Sequence, residues 1–174
     1  MNKHQGFTII ELVLVIVILG VLASIAVPKF ISLSSDAKIS TLKAMQGALH
    51  SGVDMIHVKA VVNQKVTGFN SIDISGVNIK LHSGYPTGFW DGSMRYIVNL
   101  DSVSFTLSKS TVCEVDWCGK GGQASLPSGI TVTSPIIIGK VYPKGYSFND
   151  ECGVYYINNR DGEKPEIGIE TNDC

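Results

Sequence analysis

The sequence predicts an α+β fold in which one long N-terminal helix packs on an antiparallel β-sheet. Three observations lead to this prediction. Residues 7–27 are predominantly apolar and carry a single charge, and residues 42–60 then repeat apolar side chains every three or four positions. Beyond residue 62 the chain changes to short apolar runs separated by turn residues. Since no helical pattern of comparable length follows, one helix laid on a sheet is the simplest architecture.

The apolar segment Phe7–Val27 contains a single charged residue, Glu11. As a helix it would measure about 31 Å, close to the hydrocarbon thickness of a bilayer. Lys3 precedes it and is expected to stay in the cytoplasm. The segment is therefore predicted to enter or span a membrane.

Three interpretations of this segment compete. It is a secretory signal peptide cut after Ala26, a plain single-pass anchor, or a segment retained after a cut between Gly6 and Phe7. Glu11 favours the third, because a carboxylate in a bilayer helix costs about 2.5–3.5 kcal/mol at the helix centre, and less near the interface. A cut after Gly6 gives Phe7 a free α-amino group, with which a neighbouring copy's Glu11 would pair and so set the register between subunits.

The second half of the predicted helix is amphipathic. Its buried stripe is expected to comprise Leu42, Met45, Leu49, Val53, Ile56 and Ala60, so that one helix runs from about Phe7 to about Val61. We divide the chain into 1–6 (leader), 7–28 (membrane half), 29–62 (amphipathic half) and 63–174 (globular sheet domain). His50, Asp54 and His57 share one face at metal-ligand spacing. A solvated helix edge explains them equally well, so no metal site is assigned.

The globular part shows strand patterns separated by breaks. Strands are predicted at Val77–Leu81, Met94–Leu100, Val103–Leu107, Ile130–Val132, Ile136–Tyr142 and Val154–Ile157. Breaks are predicted at 84–92, 100–102, 119–122 and 127–129, where glycine, proline, serine and aspartate cluster.

All four cysteines lie in the C-terminal two-fifths of the chain. An even number behind an export segment indicates two disulfides formed outside the cytoplasm, with three pairings open. We favour the nearest neighbours, Cys113–Cys118 and Cys152–Cys174. A zinc site is disfavoured because the spacing is not C-x2-C and no histidine lies near either pair.

Charge and motifs exclude several functions. Residues 61–174 carry 9 basic and 12 acidic side chains, a net charge of 9 − 12 = −3, and residues 150–174 carry 2 − 7 = −5. Such a domain lacks the basic footprint of a nucleic-acid reader. The chain has no G-x-S-x-G, H-E-x-x-H or phosphate-binding glycine loop, so neither an enzyme nor a cofactor is expected.

Residues 6–12, Gly-Phe-Thr-Ile-Ile-Glu-Leu, resemble the prepilin signature of type IV pilins and of type II secretion pseudopilins. The resemblance implies cleavage between Gly6 and Phe7 by a prepilin peptidase, N-methylation of Phe7, and use of Glu11 in assembly. It also implies that the stretch from Gly20 to Pro28 unwinds when the subunit enters a filament. The disulfide-bounded C-terminal region resembles that of many type IV pilins.

Residues 28–30, 36–48 and the pentapeptide Gly84-Tyr85-Pro86-Thr87-Gly88 resemble mannose-sensitive haemagglutinin (MSHA) pilins. The pentapeptide is interpreted as a turn between helix and sheet. The resemblance implies a filament subunit without catalysis, inserted in the inner membrane of a Gram-negative bacterium and then polymerised by membrane assembly machinery into a surface pilus. Adhesion and motility would be its roles, and a host or surface glycan is a candidate receptor.

Several alternatives remain open at this stage. A minor pilin of the same system and a DNA-uptake pilin are two, and a secreted enzyme or binding domain is a third. A pseudopilin is a fourth, and its calcium loop would draw on the acidic residues Asp161, Glu163, Glu166, Glu170 and Asp173. Trp90 and Trp117 are either sugar-stacking platforms or, more commonly for such aromatics, core and interface residues.

Overall fold

The computed structural model describes residues 7–98, 103–106, 108–133 and 137–174. Helix α1 spans Ile9–Val62, which confirms the predicted long helix. The chain divides into two compact units, the first ending at Lys38 and the second running from Ile39 to Cys174. Helix α1 contributes residues to both units.

Two sheets follow α1 in the second unit. The first is antiparallel and contains β1 (Phe69–Ile74), β2 (Val77–His82) and β3 (Tyr85–Pro86). The second has the order β4-β5-β6-β7-β8, formed by Val103–Phe105, Trp117–Gln123, Ile138–Pro143, Gly153–Ile157 and Glu166–Glu170. Its pairs are antiparallel except β4–β5, which is parallel. The α+β fold is confirmed, with this one parallel pair as a local departure.

The predicted helix stripe lies in the core. Its six residues, Leu42, Met45, Leu49, Val53, Ile56 and Ala60, are all buried and belong to one hydrophobic cluster. The sheets contribute Ile79, Leu81, Val141, Val154 and Tyr156 to the same cluster. Burial of this stripe is the main reason why the second half of α1 is helical, since helices in folded proteins gain most of their stability from tertiary packing of an amphipathic face.

The strand predicted at Met94–Leu100 is wrong. A π-helical turn, Trp90–Met94, continues into the short helix α2 (Arg95–Ile97), and residues 99 and 100 lie outside the described residues. Met94, Ile97 and Val98 are buried at spacings of three and four, which is a helical period. The short apolar run fits both the helical and the strand period. Its packing against α1 and β2 favours the helix.

The break predicted at 119–122 is also wrong, because these residues belong to β5. A Cβ at Gly119 would lie 1.8 Å from the Trp90 ring, so the residue is glycine to admit that ring rather than to end a strand. The pairing with β6 shifts between Lys120 and Gln123, and Gly122 there has φ +72°. This geometry is a β-bulge. In the sequence, the glycines of a bulge look the same as the glycines of a turn, so the pattern predicted a break.

Other strand predictions have mixed outcomes. Val77–Leu81 and Val154–Ile157 lie within β2 and β7, whereas Ile130–Val132 provides only a single bridge from Thr131 to Ser125. Strands β1, β3, β5 and β8 have no counterpart among the predicted strands, and β3 lies in the predicted break at 84–92. Residues 107 and 136, at the ends of two other predicted strands, and the predicted break at 100–102 lie outside the described residues.

The pentapeptide at 84–88 supplies the second residue of the β2–β3 turn and strand β3 itself, rather than connecting helix to sheet. Ser83 and Gly84 have φ +52° and +79°, which are the left-handed values of a two-residue hairpin turn. The amide of Asn158 donates to the carbonyls of Tyr85 and Pro86 at 3.3 and 3.0 Å. The pentapeptide is thus a buried structural element.

The structure contains disulfides Cys113–Cys118 and Cys152–Cys174. These are the nearest-neighbour pairs that we favoured. In the chain-entropy account, a disulfide stabilises the folded state by lowering the conformational entropy of the unfolded chain. The stabilisation is about 3 kcal/mol for the bridge with a 22-residue separation and about 2 kcal/mol for the bridge with a 5-residue separation.

Two glycines of α1 provide a matched test of how closely the helix is packed. A Cβ at Gly52 would lie 2.4 Å from the Ile97 carbonyl oxygen, whereas one at Gly47 would meet nothing within 4 Å. We expect Gly52→Ala to lower the free energy of unfolding by about 1–3 kcal/mol through overpacking. Gly47→Ala is expected to raise it by up to about 1 kcal/mol through helix propensity. Denaturant unfolding of both variants in detergent tests this, and equal effects would contradict the close approach of α1 to α2.

Candidate assembly site

The first half of α1 presents its apolar side chains to the surroundings. Ile9–Val27 is long and apolar enough to cross a membrane by length and composition, as a signal sequence would also be. Its large apolar side chains range from 44% exposed at Val15 to 82% at Ile9. A single copy of the chain therefore leaves this apolar surface uncovered, and its exposure to water is unfavourable.

Glu11 and Thr8 form a reciprocal cap at the start of this helix. The Glu11 carboxylate accepts from the Thr8 backbone N–H at 2.9 Å and from the Thr8 hydroxyl at 2.8 Å. The Glu11 N–H in turn donates to the Thr8 hydroxyl oxygen at 3.3 Å. This is the capping-box arrangement, with Thr8 as N-cap and Glu11 three residues later.

Within the described residues, Glu11 forms no ion pair. Phe7, one residue before the cap, is 74% exposed. Gly6, the other side of the predicted cut, lies outside the described residues. Glu11 caps the helix of its own chain. Its carboxylate has further lone pairs, which remain available to a positively charged group of another molecule.

Gly20 and Pro28 both lie inside α1, whose backbone is helical from Ile9 to Val62. A Cβ at Gly20 would meet nothing within 4 Å, so no packing among the residues that the structure describes requires glycine there. Glycine and proline both weaken a helix interior, by about 1 and 3 kcal/mol relative to alanine. The segment between them is a weak stretch of an otherwise regular helix.

The second unit carries an apolar groove of about 900 Å³ beside α1. Ala44, Ala48 and Met55 line it from the helix, and Ile74, Tyr96 and Trp117 line it from the other elements. Met55 and Val58 of α1 are 74% and 62% exposed. The amphipathic half of the helix therefore has apolar surface on both its sheet side and its outer side.

The histidines and Asp54 of α1 do not form a metal site. Asp54 pairs with Lys164, with its Oδ1 2.8 Å from the ammonium. The His57 ring stacks on Tyr85 at 3.9 Å, and its Nδ1 lies 3.0 Å from the Gly84 carbonyl oxygen. In the described part of the chain no group of three potential ligands is placed to hold a metal.

The acidic residues of a calcium loop are likewise dispersed. Glu166 accepts from the Tyr155 hydroxyl at 2.8 Å, and Asp173 accepts from the Glu151 N–H at 2.6 Å. Glu170 pairs with Lys140. Each of these carboxylates thus has a different partner, and they do not converge on one point.

Trp90 is 4% exposed and packs in the core, so it is not a sugar platform. Trp117 is half-buried at the edge of the apolar groove. The more common role of such aromatics, as core or interface residues, therefore applies to Trp90.

Sequence reasoning missed the buried ion pair between Lys140 of β6 and Glu170 of β8. The Lys140 side chain is 0% exposed and the Glu170 side chain 3% exposed. The ammonium also donates to the carbonyls of Phe148 and Asp150 at 3.1 and 2.7 Å. Burial lowers the pKa of Lys140, and Glu170 opposes that shift by favouring the charged ammonium.

Comparison with known proteins places the similarity at the N-terminus. Residues 1–27 match the prokaryotic N-terminal methylation motif. Over 58 residues the chain is 43% identical to the type IV narrow pilus major component PilA5 of Thermus thermophilus, covering 33% of this chain and 50% of that protein. Over 54 residues it is 40% identical to type II secretion system core protein G of Pseudomonas aeruginosa, covering 31% and 38%.

A fimbrial protein of Pseudomonas aeruginosa is 25% identical over 123 residues, covering 66% of this chain and 80% of that protein. The chain spans half or less of the first two relatives. No solved structure matches it significantly. None of the three relatives is named as an enzyme, and the similarity is to structural proteins of the pilin and pseudopilin type, as the sequence predicted.

Proposed function

We propose that this type IV pilin-like chain is a structural subunit of a type IV pilus, processed by a prepilin peptidase and polymerised through its N-terminal helix. The observation that carries the proposal is the exposed apolar helix Ile9–Val27, capped by the carboxylate of Glu11. The methylation motif over residues 1–27 supports the processing step. The precursor would reside in the inner membrane and the mature subunit in a surface filament.

Assembly is proposed to begin with the cut between Gly6 and Phe7. The new α-amino group of Phe7 carries a positive charge and is recognised by Glu11 of a neighbouring copy. Both charges stand in apolar surroundings, where leaving either unpaired costs about 3–5 kcal/mol. Only one axial register between two helices satisfies the pair, so this contact specifies the assembly.

The apolar surface is then covered by other copies instead of lipid. The exposed side chains of Ile9–Val27 supply one contact area, and the outward side chains Met55 and Val58 supply another on the second unit. The stretch from Gly20 to Pro28 is proposed to unwind during this step, since it is the weakest part of the helix. Adhesion and motility would belong to the filament, not to one subunit.

The processing step is tested by intact mass and N-terminal sequencing of protein sheared from the cell surface. We expect a mature chain that starts at N-methylated Phe7 and both thiol pairs oxidised, in a fraction that contains visible filaments. The matched variant Gly6→Val should retain residues 1–6 and yield no filaments. A wild-type chain starting at Val27 would show that the segment is only a signal peptide, and the assembly proposal would be abandoned.

A pseudopilin of a type II secretion system is the second candidate. The chain is 40% identical to core protein G over 54 residues and 43% identical to the narrow pilus component over 58 residues. These two similarities support a pseudopilin and a pilin about equally. The alignment with a fimbrial protein over 66% of the chain favours the pilus. Deletion of the gene decides between them: loss of surface filaments supports the pilus, whereas loss of secreted enzymes with no change in filaments supports the pseudopilin.

A further inference from the structure

A second groove, of about 750 Å³, lies on the three-stranded sheet of the second unit. Its lining includes Lys65, Phe69, Ser71, Asn78, Lys80 and Phe89. Lys80 of β2 faces Ser71 of β1 across the antiparallel pair, so both lie on the solvent side of the sheet. The groove is distinct from the apolar helix that the proposed assembly uses.

The groove is positive in a domain that is negative overall. Lys65 and Lys80 are both exposed, and within the described residues neither forms an ion pair. No lining residue carries a carboxylate. Asp73, which faces Asn78 across the β1–β2 pair, accepts from the Gly76 N–H, and Asp91 pairs with Arg95.

Lys80 is held in place by its neighbours. A Cβ at Gly92 would lie 3.0 Å from Cδ of Lys80, so the lysine stem packs over this glycine. A partly packed stem leaves less side-chain freedom to lose when the ammonium binds an anion.

Two aromatic rings flank the charges. Phe69 is 66% exposed and Phe89 is 46% exposed. The Arg160 guanidinium lies 4.7 Å from the centre of the Phe69 ring, and His82 packs edge-on to the same ring at 4.5 Å. Phe69 is therefore fixed although it is exposed, and Arg160 adds a further positive charge beside the groove.

We propose that this groove binds an acidic polysaccharide, a polymer of sugars that carry carboxylate or sulfate groups. The lysines would pair with the anionic groups and the phenylalanine rings would cover the apolar faces of the sugars. The Ser71 hydroxyl and the Asn78 amide would bond to sugar hydroxyls. Single-stranded nucleic acid also combines charge with stacking, but its dense phosphates suit an extended basic channel rather than two lysines on an acidic domain.

The test measures binding of polygalacturonate oligomers to the full chain in a polyoxyethylene detergent, which contains no sugar. Neutral dextran and single-stranded oligo-dT are the competing probes. We expect polygalacturonate to bind in a salt-sensitive manner, dextran not to bind, and oligo-dT to bind more weakly. The double variant Lys65→Gln/Lys80→Gln should weaken polygalacturonate binding at least about tenfold.

Lys144→Gln is the matched control, because Lys144 is an exposed lysine in the loop after β6. It should bind polygalacturonate as the wild type does, and unchanged near-ultraviolet circular dichroism should show that all variants are folded. Equal affinity of the double variant and the wild type would overturn the proposal, as would equal binding of dextran. Tighter binding of oligo-dT would overturn it in favour of nucleic acid. None of these outcomes depends on whether the chain is a pilin or a pseudopilin.

Discussion

Glu11→Ala is expected to abolish filament assembly while leaving membrane insertion intact. The proposed pair between Glu11 and a neighbouring Phe7 amine is lost, and the amine is left unpaired in apolar surroundings. The cost of about 3–5 kcal/mol corresponds to a loss of about two to four orders of magnitude in the association constant. Insertion should be easier rather than harder, because a carboxylate in a bilayer helix costs free energy. Sheared filaments are counted by electron microscopy, and membrane-inserted protein is measured by fractionation.

Two variants separate the charge from the helix cap. Glu11→Gln keeps the size of the side chain and its bonds to Thr8 but removes the charge, and should fail in the same way. Thr8→Val removes the hydroxyl of the cap, keeps the charge, and should lower filament yield only slightly, since an N-cap side chain contributes about 1 kcal/mol. If Glu11→Gln assembles normally and Thr8→Val does not, Glu11 acts as a cap and the pairing proposal is wrong.

Glu170→Ala is expected to lower the free energy of unfolding of the second unit by about 3–5 kcal/mol. The substitution leaves the buried Lys140 ammonium with two backbone carbonyls and without its directly paired carboxylate, so that only the weaker attraction of Asp150 and Glu151 remains. It also removes the acceptor of the Ser128 N–H, which lies 3.1 Å from Glu170 Oε1. Denaturant unfolding followed by near-ultraviolet circular dichroism, in detergent and with the disulfides intact, measures the loss.

The double variant Lys140→Met/Glu170→Leu is the control for the ion pair. Replacing both charges by apolar groups of similar size avoids an unpaired charge and should recover most of the stability lost in Glu170→Ala. A loss of less than about 1 kcal/mol in Glu170→Ala would show that water reaches Lys140 and that the pair is not structurally important.

Local patterns predicted the elements that depend on neighbours in sequence. The stripe from Leu42 to Ala60 predicted the amphipathic half of α1, because a helix repeats its faces every three to four residues. The prepilin-like signature predicted the similarity that comparison with pilins supports. Cleavage at Gly6 and the roles of Glu11, Gly20 and Pro28 stay predictions that the experiments above test.

Patterns failed where a distant residue decides the local structure. Gly119 looks like a break, but it is a strand residue whose missing Cβ admits the Trp90 ring. The apolar run that begins at Met94 fits both the helical and the strand period, and the buried residues Met94, Ile97 and Val98 follow the helical one once α1 and β2 pack beside them. In each case the deciding contact joins residues far apart in the chain, so no window of sequence contains it.

The sequence by itself determined the long helix, its apolar first half, the buried stripe and the pilin-type signature, since each depends on periodicity or on adjacent residues. Only the tertiary structure decided that Lys140 meets Glu170, that the pentapeptide at 84–88 closes a hairpin, and that Lys65 and Lys80 meet two phenylalanines in one groove. The physical reason is that charge pairing and groove chemistry depend on distance in space. Strand order brings these side chains together, and that order follows from packing rather than from local pattern.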